Sequence, residues 1–151
     1  MKATHFLIIG LLILLADQYT KQLAVEQLRL GAPMPIIDGY FNFTLVYYTG
    51  AAFGMLSSWP DLYRRFALAS VSLLAIIVVF RFVLHEAKGD NWSLAALAAV
   101  LAGAIGNIID RFRLDAVVDF LDFFLGNYHW PAFNIADSAI CIGVTVLVLR
   151  M

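Results

Sequence analysis

Cysteine, histidine, proline and charge are all scarce in this chain. Its 151 residues hold one cysteine, three histidines and four prolines, and 14% of them are charged. A lone cysteine excludes an internal disulfide, and Cys141, set in an apolar run, reads as a small buried core residue. Neither HExxH nor a Cys/His cluster is present, so no metal is expected, and no cofactor motif stands out. No serine sits in a nucleophile-elbow or Ser–Lys setting. The prolines, Pro33, Pro35, Pro60 and Pro131, lie outside the long apolar runs or at their start, where no helical hydrogen bond is lost. The net charge of −1 gives no basis for nucleic-acid binding.

What is abundant is apolar: 62% of the residues are hydrophobic, against about 45–50% in a soluble domain. The excess exceeds what a core of this size can hold, so lipid is the expected solvent. Four apolar segments, at about 4–24, 66–84, 92–109 and 132–149, each approach the roughly 20 residues that cross a bilayer as a helix. Lipid offers no partner to free backbone groups, so each is expected to be helical. The fold class read from this pattern is an all-α membrane protein with four transmembrane helices, forming a single domain over 1–151. The first segment is followed by Asp17, Gln18 and Tyr19, a poor cleavage site, so it is expected to be a span rather than a removed signal peptide.

The links differ. The longest, at about 25–61, holds the turn formers Gly31, Pro33, Pro35, Asp38 and Gly39. Its aromatic, β-branched stretch from Tyr40 to Tyr48 predicts a small β-rich loop domain at the membrane surface. The link from Asp110 to Pro131 mixes Asp115, Asp119 and Asp122 with large apolar residues, which predicts a short interfacial helix or turn. In the third span Ala99 with Gly103, and Ala102 with Gly106, allow close helix contact.

A charge at a span centre costs about 2.5–3.5 kcal/mol on insertion scales, so polar residues near span ends need a reason. Asp17 and Lys21 are spaced i, i+4 near the end of the first span, Asn107, Asp110 and Arg111 close the third, and Asn134 and Asp137 open the fourth at i, i+3. Alternating chain direction puts these ends, Asp119 and the long loop on one side of the membrane. Taken singly, Asp17 with Lys21 reads as a helix-end ion pair, Asn107 and Arg111 as helix anchors, and Asp110, Asp115 and Asp122 as solvated acids. Asp137 resists such a reading, because its segment is apolar and holds no basic neighbour. Two carboxylates in a partly dry site share one proton, and such a pair can deprotonate a water and protonate a leaving amine. A small transporter with Asp17, Asp110 and Asp137 as relay groups is the rival reading, although internal repeats are not visible.

The stretches DQYTK (Asp17–Lys21), TGAAFG (Thr49–Gly54), GAIGNIIDR (Gly103–Arg111), VVDF (Val117–Phe120) and FNIADSAI (Phe133–Ile140), in this order and over nearly the whole chain, resemble the motif series of bacterial lipoprotein signal peptidases, signal peptidase II. The resemblance implies an aspartyl endopeptidase that cleaves prolipoproteins just before a diacylglyceryl-modified cysteine. It implies a multi-pass inner-membrane protein with cytoplasmic termini and a periplasmic active site; the partners expected are the prolipoprotein and membrane lipid, and the chain is expected to be a monomer. The catalytic pair falls on Asp119 and Asp137, with Asn107, Arg111 and Asn134 supporting it, and Asp17, Lys21, Gly50 and Gly103 on further motif positions. Tyr48 stands where the family usually has Asn, and Ala102 where it usually has Gly. By that topology Lys2, Arg81, Lys88 and Arg150 are cytoplasmic, fewer than the six basic residues opposite (Lys21, Arg29, Arg64, Arg65, Arg111 and Arg113), so a plain positive-inside count argues the other way.

Overall fold

A computed structural model describes residues 3–49 and 91–150, with isolated positions 60, 62, 63, 70, 77 and 81 between them. In chain order these hold helix α1 (Ala3–Gln27), strands β1 (Met34–Ile37) and β2 (Phe41–Tyr48), helix α2 (Asn91–Leu114), strands β3 (Val117–Leu125) and β4 (Tyr128–His129), and helix α3 (Ile135–Leu149). Among the described residues, three helices and a four-stranded antiparallel sheet, ordered β1-β2-β3-β4, replace the expected all-α class with four transmembrane helices. Two helices among the described residues, α1 over Thr4–Gln27 and α2, are long and apolar enough to cross a membrane. Of the expected span at 66–84, only positions 70, 77 and 81 are described. Helix α3 has 15 residues, about 22 Å at 1.5 Å per residue, which is shorter than a hydrocarbon core of roughly 30 Å.

The second correction is the Asp110–Pro131 link, which forms β3 and β4 and no interfacial helix. The reason lies in β2. As expected from its composition, Phe41–Tyr48 is a strand, and a strand with a free edge leaves backbone groups unpaired. Val117, Val118, Phe120, Phe123 and Phe124 suit pairing with it, and β3 aligns along it with Phe41 opposite Phe123 and Val46 opposite Asp119. The Phe41 and Phe123 rings stack across the pair at 4.5 Å. Asp115, at φ 61°, turns the chain from α2 into β3, a backbone state that Asp tolerates better than most residues. Residues 131–134 do not extend α3. Phe133 instead bonds to the backbone of Phe120 and Leu121, so the helix starts at Ile135.

Helix α2 packs between α1 and α3. Ala96, Leu97, Val100 and Leu147 form the apolar core, with Phe6 against it. Two glycines set the helix spacing. A Cβ at Gly103 would collide with the Ala136 carbonyl, and one at Gly106 with the Asp17 carboxylate. Leu7, Ile8, Leu11, Leu12 and Leu15 of α1 are each more than half exposed, a face suited to lipid. Cys141, expected in the core, is exposed on α3.

Candidate active site

The site is organised by the start of α3. A helix N-terminus leaves backbone N–H groups unpartnered, and in an apolar setting each needs a local acceptor. Asn134 is the N-cap, and its Oδ1 accepts the Asp137 N–H at 2.9 Å. Asp137 Oδ2 accepts the Asn134 N–H at 3.3 Å, completing a capping box. Asp17 reaches in from α1, and its Oδ1 accepts the Ala136 N–H at 2.9 Å. The cap is delivered to this place by Phe133, whose carbonyl accepts from the Phe120 and Leu121 N–H groups beside Asp119.

Asn134 is fully buried and contacts both carboxylates of interest. Its Nδ2 donates to Asp119 Oδ1 at 2.7 Å, with the Val118 carbonyl and Asn107 Oδ1 each at 3.2 Å. Asn107 completes the circuit by donating from Nδ2 to Asp137 Oδ1 at 2.7 Å. Its Oδ1 accepts from Lys21 Nζ at 2.9 Å. Lys21 is buried and also pairs with Asp17 Oδ2 at 2.9 Å and Asp110 Oδ2 at 2.8 Å, so all three ammonium protons are used. Arg111 Nη1 donates to the Asn107 carbonyl at 3.2 Å.

Seven of the expected site residues therefore meet in one cluster: Asp17, Lys21, Asn107, Arg111, Asp119, Asn134 and Asp137. Gly103 lies where α2 crosses α3, against Ala136. Gly50 and most of TGAAFG lie outside the described residues. Tyr48 ends β2, opposite Val117. Two acids expected to be solvated are buried. Asp110 bonds to Lys21, to Gln18 Nε2 at 3.1 Å and to the Val118 N–H at 3.2 Å. Asp122 accepts from Asn42 Nδ2 at 3.2 Å and pairs with His129 Nδ1 at 2.9 Å. The signal for Asp110 was in the chain, because Gly103, Gly106, Asn107 and Asp110 share a helix face at spacings of three and four.

Burial, and then the nearby Asp137 charge, push the Asp119 carboxyl up to about 7, against the opposing pull of the Asn134 hydrogen bond and Lys21. Near neutral pH this buried carboxyl keeps a proton much of the time. A raised folded-state pKa contributes stability that is complete below the unfolded value of 3.8 and is lost as pH rises through about 7. Asp119→Asn, which cannot ionise, is therefore expected to match wild type in acid and to gain on it in alkali, by roughly 4 kcal/mol at the limit. Thermal unfolding in detergent at about pH 5 and about pH 8 measures this. A difference between the two proteins that is the same at both pH values would refute it.

Known proteins resemble this chain over nearly its whole length. The profile of the signal peptidase (SPase) II family matches residues 9–151. A lipoprotein signal peptidase of Syntrophus aciditrophicus is 47% identical over 146 residues, covering 97% of this chain and 91% of that protein. One of Francisella tularensis subsp. mediasiatica is 42% identical over 143 residues, covering 95% and 88%. A bacterial membrane enzyme solved at 1.9 Å by the in meso method superposes with a TM-score of 0.83 at 29% identity, covering 97% of this chain and 92% of that one. With the match running over nearly its full length, this chain belongs to the signal peptidase II family.

Proposed function

We propose that Asp119 and Asp137 are the hydrolytic pair with which this lipoprotein signal peptidase removes the signal peptide from diacylglyceryl-modified prolipoproteins, cutting before the modified cysteine. The observation that carries the assignment is Asn134, a buried side chain that donates to Asp119 while its backbone donates to Asp137. Asp119, raised to about 7, supplies the proton, and Asp137 accepts one from the attacking water. The water oxygen bonds to the scissile carbonyl carbon. As the tetrahedral adduct collapses, the C–N bond breaks and the amine nitrogen of the cysteine leaves with a proton. Asn107 fixes the Asp137 carboxylate, and Lys21 fixes Asn107. Arg111, Asp17 and Gly103 hold the helices on which these groups stand. Gly50 would act from the loop, outside the described residues.

The substrate is an apolar peptide with a lipid attached, and an apolar cavity of about 260 Å³ lies beside β3, lined by Leu23, Ala24, Leu28, Met34, Ile36, Phe43 and Phe120 among others. The proposal takes the chain as a single membrane-embedded peptidase domain, monomeric and in contact with lipid, in the bacterial inner membrane, crossing it more than once with its site at the periplasmic face; the apolar helices α1 and α2 support the membrane part of this reading. The test is incubation of the purified protein in lipid–detergent micelles with a diacylglyceryl prolipoprotein. The expected result is a mass loss equal to the signal peptide, and an intact substrate would sink the reading. A reporter fused after Met151 should be active in the cytoplasm, and activity outside would invert the topology.

A further inference from the structure

We propose that Asp110 is a positioning residue for Asp119, acting through the backbone of Val118 and through Lys21, an inference that rests on the hydrolytic role given above to Asp119. Asp110 lies buried on α2, and among the described residues the bonds of its carboxylate run to other elements. From α1 come Lys21 Nζ at 2.8 Å and Gln18 Nε2 at 3.1 Å, and from β3 comes the Val118 N–H at 3.2 Å. Val118 immediately precedes Asp119, and successive side chains on a strand point to opposite faces. Fixing the Val118 peptide therefore fixes the direction in which the Asp119 carboxyl leaves the strand. The same carboxylate holds Lys21, which in turn holds Asn107, the donor to Asp137. One acid thus reaches the backbone beside one member of the pair and the hydrogen-bond chain of the other.

Its charge also acts on Asp119. The charged groups around Asp119 are Lys21 from α1, itself paired with Asp17, then Asp110 and Arg111 from α2, and Asp137 from α3. From β2, Val46 lies opposite, with Tyr47 and Tyr48 beyond it. Removing the Asp110 charge takes away a repulsion and leaves more of the Lys21 charge to act on Asp119. Both effects favour the ionised form, so Asp119 should lose its proton at lower pH.

The test compares Asp110→Asn and Asp110→Glu with wild type, measuring kcat and KM on a diacylglyceryl prolipoprotein across pH. Asp110→Asn is expected to lower kcat about 10- to 100-fold, with KM changed by less than about twofold, because the geometry of the pair is loosened while binding is not. The alkaline limb of its kcat profile, set by loss of the Asp119 proton, should move to lower pH. Asp110→Glu keeps the charge but displaces the carboxylate, so kcat should fall with the limb in place. An unmoved limb in Asp110→Asn, with activity lost only in proportion to folded protein, overturns the inference. Should Asp110→Asn fail to fold, wild-type kcat in Asp110→Glu overturns it as well. Continued turnover by Asp119→Asn would instead overturn the hydrolytic assignment and leave the Asp110 contacts to be explained as structural.

Discussion

Asp119→Asn and Asp137→Asn are each expected to abolish turnover, by a factor of about 10⁴ or more, in protein that still inserts and folds. The size of the effect follows from the chemistry. An amide can neither take a proton from water nor give one to a leaving amine, and in the proposed mechanism the two carboxylates act as a unit, so losing either loses the function of both. The two variants should differ in stability. At 119 an amide oxygen can keep the 2.7 Å bond from Asn134, and the loss of a buried ionisable group removes a cost. Asp137 uses one oxygen to accept from Asn107 and the other to accept from the Asn134 N–H. An amide can serve only one of these donors, so Asp137→Asn should also lose about 1 kcal/mol. Turnover within tenfold of wild type by either folded variant ends the assignment.

Lys21→Met is the substitution expected to damage stability most. Lys21 is 3% exposed and is the cation bonded to two buried acids, Asp17 at 0% and Asp110 at 3% exposure. Methionine fills much of the same volume but leaves both carboxylates without their counter-charge in a dry site. Removing one partner of a buried pair costs about 3–5 kcal/mol, because the remaining charge is uncompensated. For a chain of this size that corresponds to a fall of roughly 6–20 °C in Tm. Asn107 also loses the donor to its Oδ1, so the hydrogen-bond circuit that reaches Asp137 is cut. Neutralising the acids in the same background, as Lys21→Met with Asp17→Asn and Asp110→Asn, should recover a large part of the stability. A Lys21→Met protein with wild-type Tm would show that the cluster carries no such electrostatic demand.

The convergence of the site is legible in the chain because long apolar segments and the polar residues at their ends restrict where those residues can lie. Long apolar segments must be helices, alternate spans must run in opposite directions, and polar residues at their ends must then collect at one face or the other. With four spans assumed, that reasoning puts Asp17, Lys21, Asn107, Arg111, Asp119, Asn134 and Asp137 on one side, and the structure gathers these seven into one cluster although only α1 and α2 are long enough to cross among the described residues. The i, i+3 spacing of Asn134 and Asp137 becomes a capping box, and the i, i+4 spacing of Asp17 and Lys21 an ion pair, because both are local contacts.

What tertiary structure decided is everything that depended on a partner from elsewhere in the chain. Val117–Leu125 is a strand because β2 offers it an edge, and β2 lies some seventy residues earlier in the sequence. Its mixture of acids and aromatics looks equally amphipathic as a helix until that edge is present. Asp110 and Asp122 looked solvated because their partners, Lys21, Gln18 and Val118 for one and Asn42 with His129 for the other, come mostly from distant segments or other elements. Cys141 sits in an apolar run, yet it is exposed because an apolar helix in a membrane protein has an outward face, and hydrophobicity alone cannot tell that face from the core. Composition and spacing determined which residues must avoid water and which polar groups needed a reason to be among them. Only the packed structure decided which acid met which donor, since burial and hydrogen-bond partners belong to the fold.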